Sequence, residues 1–225
     1  MLNSLHKHRN LNLIVDKLLG ISRESGFSTD DIVKHAKIDL SKPIQEVEMP
    51  RIIESIYNHT KDKALMIKLG QRLDLTFLGS FGFALMSCTD FTAVVKLINR
   101  YKPLLGSGMS LKILSDSHNS NYNLRVSNIL SNNLQTRLIN ELIISQAIYL
   151  IKIITNNDKL NFKVTFKHEG INNKELYESI LNCDVKFNPL PSNNRYRFIN
   201  LFTALKFEQL IRAKPKDPKK VMSNL

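Results

Sequence analysis

The residues able to do chemistry in this sequence are few and thinly spread. Its two cysteines, Cys88 and Cys183, lie in or beside apolar stretches. Neither belongs to a Cys-x-x-Cys pair or has a histidine at ligand spacing, so they read as buried or half-buried thiols in a reducing compartment. The six histidines, His6, His8, His35, His59, His118 and His168, stand singly. His6 and His8 could hold an adventitious metal, but their surroundings read as a flexible, basic N-terminus. A zinc-protease helix needs two histidines one turn apart with a glutamate between them, and no such set occurs. The glycines of "GSFGF" are not followed by the Lys-Ser/Thr pair that a phosphate cradle requires. No serine sits in a nucleophile elbow. No catalytic residue, metal ligand or cofactor is therefore assigned, and the chain reads as a non-enzyme.

Two residues remain open. His168 ends the segment "NFKVTFKH" on the same parity as Phe162 and Phe166, as an edge histidine satisfied by its neighbours or as a ligand contact. Glu141 is an acid inside an apolar run. It either pairs with Arg137 one turn earlier or points into a polar pocket.

The elements that would carry these residues follow from hydrophobic spacing. Leu11, Ile14, Val15, Leu18 and Leu19 keep a helical period, and Gly26 is a natural stop. Ser28 is an N-cap with acids in the next turn. Pro50 opens a helix whose apolar face holds Ile52, Ile53, Ile56 and Tyr57. Lys61 to Leu73 reads as a further helix. The block "TFLGSFGFALM" mixes glycine with phenylalanine, where backbone can approach backbone and rings fill the space beside it. Asp90 can cap the helix bearing Phe91, Val94, Val95, Ile98, Tyr101 and Leu105.

Beyond Pro103 the period changes from helical to alternating. "MSLKILSD" and "YNLRVSN" form a hairpin signal. A long helix, Leu134 to Thr155, is apolar on most sides and so reads as central. Strand-like "NFKVTFKH", the helix "NKELYESIL", and the strand-like "DVKFN" and "RYRFI" follow. The fold class is α+β: an N-terminal helical half, then an antiparallel sheet packed on the long central helix. The organisation reads as a flexible 1–10, a domain over 11–203 (helical half 11–105, β-α half 106–203), and a basic tail or linker remnant over 204–225.

The 225 residues are 43% hydrophobic, enough for a core without disulfides. The apolar stretch Leu142–Ile151 is short of the roughly 20 residues of a membrane span, and no secretory leader is visible, so the expectation is a cytoplasmic protein with no membrane partner. The net charge of +12 invites a nucleic-acid reading. Its lysines are scattered, however, and only Lys214, Lys216, Lys219 and Lys220 cluster tightly.

Two blocks carry a resemblance. Gly79, Gly82-Phe83-Ala84-Leu85, Ser87, Phe91 and Arg100-Tyr101 form one, and Val164, Phe166, His168, Tyr177, Val185, Phe187 and Phe198 the other. Together they resemble the N-terminal effector domain, of the arabinose-binding type, in AraC/XylS transcription regulators. The resemblance runs from about Leu13 to Leu201. Thr89 stands where the family usually has proline, and Ala93 where it has an acid. Family members normally continue into two helix-turn-helix units, and this sequence stops about twenty residues past 203.

The resemblance implies a ligand-sensing domain, a dimerising domain or both, without its own DNA-reading module. Its partners would be a small-molecule effector and a second copy or a full-length regulator, with DNA engaged only through a C-terminal domain. Phe77, Phe81, Phe83, Met86, Tyr101 and His168 are the expected pocket lining, at a joint between the two halves. A stand-alone interaction module and a weak nonspecific nucleic-acid binder are the alternatives.

Overall fold

A computed structural model describes residues 2–60, 62–88, 91–101, 109–116, 121–128, 133–155, 157–168, 174–188 and 203–208. Four helices come first: α1 (Leu2–Glu24), α2 (Thr29–Ala36), α3 (Met49–Thr60) and α4 (Leu65–Gly70). The backbone is helical from Leu2, where sequence reading expects a flexible 1–10. No glycine or proline interrupts the chain before Gly20, so nothing in it stops the helix. At the other end Gly26 takes φ 87°, and the amide of Phe27 returns to the Ser22 carbonyl, a glycine stop. Ser28 caps α2 as its position implies, its hydroxyl accepting from the Asp31 amide.

The helix expected over Lys61–Leu73 is shorter. Asp62 accepts from the Ala64 amide and pairs with Lys68, fixing the start, and Gly70 is the last helical residue. A 3-10 turn (Leu75–Leu78), α5 (Ser80–Met86) and α6 (Phe91–Tyr101) complete the helical half. The expected cap Asp90 lies outside the described residues.

The second half contains β1 (Met109–Asp116), β2 (Asn121–Asn128), α7 (Asn133–Thr155), β3 (Phe162–Phe166), α8 (Lys174–Leu181), β4 (Asp184–Phe187) and β5 (Thr203–Glu208). One five-stranded sheet results, in the order β1-β2-β5-β3-β4. The α+β class and the long central helix are as expected. Two features differ. β3 and β4 pair in parallel because α8 crosses over between them, so the sheet is not wholly antiparallel. β5 lies in the stretch assigned to the tail, yet it pairs with both β2 and β3. The segment "RYRFI", expected as a strand, lies outside the described residues.

Two hydrophobic cores flank α7. Leu138 and Leu142 belong to the helical core, with Leu18, Ile52, Ile56, Met66 and Leu69. Ile144, Ile148 and Ile151 belong to the sheet core, with Phe162, Val164, Phe166 and Tyr177. Two-sided burial explains why α7 is, among the described residues, the one helix long and apolar enough to cross a membrane. A tight joint links α4 and α7. A Cβ added at Gly70 would lie 2.5 Å from the Leu142 carbonyl oxygen and 2.7 Å from Ser145 Cβ. Only glycine allows that approach. Beside it the buried Ser145 hydroxyl donates to the Ile67 carbonyl at 2.5 Å.

Candidate functional site

At the helical repeat of α7, Glu141 falls on the boundary between the face bearing Leu138 and Leu142 and the face bearing Ile144 and Ile148. The carboxylate is therefore carried to the seam of the two cores, where its exposure is 0%. An isolated carboxylate there would be very costly, so its partners decide what the seam can do.

Three elements supply them. From α8, the Tyr177 hydroxyl donates to Oε1 of Glu141 at 2.7 Å. From one turn earlier on α7, Arg137 Nε stands 3.4 Å from the same oxygen. Just past β3, His168 Nε2 stands 3.5 Å from it. The helical half contributes Tyr57 of α3, whose ring lies 5.2 Å from the Arg137 guanidinium carbon. Among the described residues, Glu141 Oε2 and Arg137 Nε and Nη2 are buried without a hydrogen bond.

Aromatic rings wall the cluster. Phe166 stacks on Phe187 at 5.7 Å between centroids, a consequence of the parallel β3–β4 register that pairs these two residues. The His168 ring is 5.0 Å from Phe166 and 5.5 Å from Phe187. Tyr177 meets both phenylalanines edge-on, at 5.8 and 5.2 Å. His168 lies two residues past Phe166, beyond the end of β3, and its ring packs against the same cluster.

Burial pushes the Glu141 carboxyl up to about 7, against the opposing pull of the Arg137 charge and the Tyr177 hydroxyl. Burial likewise drives the Tyr177 phenol up, reinforced by the neighbouring carboxylate that its hydroxyl faces. The arrangement is a neutral-to-anionic acceptor beside a fixed cation, inside an aromatic box. It can recognise a polar ligand group. Among the described residues, no group of three or more His, Cys, Asp or Glu could hold a metal ion.

The six residues expected to line a pocket divide. His168 is in this cluster. Phe81 and Met86 are half-buried against the sheet core, and Phe81 meets the Tyr101 ring at 6.1 Å. Tyr101 is 37% exposed, with the Arg100 guanidinium 5.5 Å from its centroid. Phe83 is 47% exposed on the outer side of α5. The side chain of Phe77 lies outside the described residues. The glycine-aromatic block is in large part a local joint: a Cβ added at Gly82 would lie 1.9 Å from the Leu75 carbonyl oxygen. Arg137 was named from the sequence as the partner of Glu141, and the structure has that pair, but neither it nor Tyr177, Phe187 or Tyr57 was marked as lining a site. The signal was the acid in an apolar helix.

The sequence matches, over residues 26–193, the family described as the arabinose-binding domain of AraC transcription regulator, N-terminal. No curated protein sequence matches it. Among solved structures the fold is similar to that of the transcriptional regulator CdpR from Pseudomonas aeruginosa. The two share 13% identity at a TM-score of 0.53, over 79% of this chain and 52% of that one. The chain thus spans about half the length of that structure.

Proposed function

Because the chain belongs to the family of N-terminal arabinose-binding domains of AraC transcription regulators, we propose that it senses a small effector and that Glu141 and its partners are where the effector is read. The observation that carries this is Glu141 itself. It is a fully buried carboxyl whose Oε2 has no hydrogen-bond partner, on the helix shared by both cores.

Regulation requires only that a ligand bind one arrangement of the domain better than another. A ligand engaging Glu141 and Arg137 competes for the contacts that tie α7 to Tyr57 of α3 on one side and Tyr177 of α8 on the other. Small changes at that point shift the packing of the helical half against the sheet. In a longer regulator the shift would reach a partner copy or a DNA-reading module, and dimerisation through this domain is part of the proposal. Domains of this family generally regulate rather than catalyse, and the cluster is read here as a binding site.

The test is a thermal-shift screen with sugars, amino acids, fatty acids and polyamines, repeated on Glu141→Gln. A binder raises the melting temperature in proportion to the logarithm of its concentration over its Kd. The proposal expects at least one class to do so and the variant to lose the effect. A ligand that binds the variant as well as the wild type places the sensor elsewhere.

A further inference from the structure

The buried atoms of the pair that lack a hydrogen-bond partner are of opposite character. Arg137 Nε and Nη2 are donors on a permanent cation, and Glu141 Oε2 is an acceptor on a carboxyl. Nε and Nη2 share one edge of the guanidinium, the edge that grips a carboxylate with two parallel bonds. The carboxylate oxygen facing Nε lies at 3.4 Å, too long for a good N–H···O bond, and already accepts from the Tyr177 hydroxyl at 2.7 Å. Arg137 and Glu141 therefore neutralise each other without completing each other's hydrogen bonds.

Charge narrows the ligand. With Glu141 ionised, the pair as a unit is neutral. A lone carboxylate or a lone amine would bring uncompensated charge to a carboxyl that is 0% exposed, which burial penalises heavily. A molecule carrying both charges adds none and gives each open group a charge-assisted bond. A neutral polyol adds no charge either, but its hydroxyls make weaker bonds to both ions. The cluster's partly exposed edge is its rim. The side chains of Arg137 and His168 are 17% and 15% exposed, and Tyr57 and Phe187 are half-buried beside them. Those rings give a ligand's apolar portion a surface to lie on.

Taking the sensor reading as given, we infer that the Arg137–Glu141 pair binds a small zwitterion of the α-amino acid class, carboxylate on Arg137 and ammonium on Glu141 Oε2.

The experiment is thermal-shift titration of the whole chain at pH 7.5. The probes are the protein amino acids, each beside its decarboxylated amine and its deaminated acid, with L-arabinose as the neutral polyol. The expected result is a concentration-dependent rise for at least one amino acid and none for its amine or acid. Arg137→Lys, which keeps the charge and loses the fork, and Glu141→Gln each weaken binding at least about tenfold. Arg72→Lys, which alters an exposed pair with Glu24, leaves it unchanged. Should Glu141→Gln fail to fold by circular dichroism, Arg137→Lys carries the comparison. Binding of arabinose with no amino acid response overturns this ligand class and leaves the sensor reading standing. Equal binding of an amino acid and its amine or acid overturns the paired-charge recognition. Silence from the amino acids alongside a response to the fatty acids or polyamines of the wider screen also overturns it, and silence from every class in both overturns the sensor reading as well.

Discussion

Glu141→Gln, followed across pH, reads the buried carboxyl directly. In the folded protein burial raises its pKa from the ordinary 4.5 to about 7. Folded Glu141 thus holds its proton more tightly than the unfolded chain does. The stability it contributes is fully present below pH 4.5, falls as pH rises toward about 7, and is constant above that. At about 1.4 kcal/mol per pH unit, the gap between these values gives about 3 kcal/mol. That is a large share of a domain's roughly 5–15 kcal/mol. Glutamine keeps the shape and cannot titrate. Urea denaturation of both proteins from pH 4.5 to 8 should show the wild type losing about 3 kcal/mol relative to the variant.

The groups facing Glu141 are Arg137 from α7, Tyr177 from α8 and His168 beyond β3. Because a histidine faces the carboxyl, the pair is also compared in a His168→Gln background. A stability difference that stays flat between pH 4.5 and 8 would mean that Arg137 keeps the carboxyl ionised throughout, and the reasoning about burial would be wrong.

Other outcomes follow from the same geometry. Tyr177→Phe removes the hydroxyl that favours the ionised carboxylate, so the midpoint of this pH dependence should move above 7 in the same denaturation series. The loss of stability should also be greater at pH 8 than at pH 5, by about 1–2 kcal/mol. Gly70→Ala must push α4 off the α7 backbone, and chemical denaturation should show a cost of about 1–3 kcal/mol. Burial raises the Cys183 thiol to about 12, so in a Cys88→Ser protein alkylation at pH 8 should be far slower than for a free peptide thiol, and acceleration by urea would be the control.

Local signals were the legible ones. The Ser28 cap, the Gly26 stop, the alternation of Phe162, Val164 and Phe166, and the length of α7 each depend on residues within a few positions of one another, and the structure has them all. Less legible was pairing at a distance. "TALKFE" alternates as a strand should, but its place between β2 and β3 is set by partners some 40 and 80 residues away. The parallel β3–β4 pair follows from the α8 crossover, which the order of elements alone does not dictate.

The site was half legible. An acid within an apolar helix and a histidine ending a strand were both marked by the sequence. Their meeting point required α8 to lay Tyr177 over α7, and the β3–β4 register to set Phe187 beside Phe166. The direction of Phe83 was not legible, because glycine-aromatic spacing looks the same whether a ring turns inward or, as here, outward.

The most direct measurement is a crystal structure of the chain with a binder from the thermal-shift screen. The account predicts the ligand against Arg137, Glu141 and His168, its polar groups bonded to Nη2 and Oε2. A ligand seated at Phe81 and Tyr101, or anywhere else with the Arg137–Glu141 pair untouched, would contradict it.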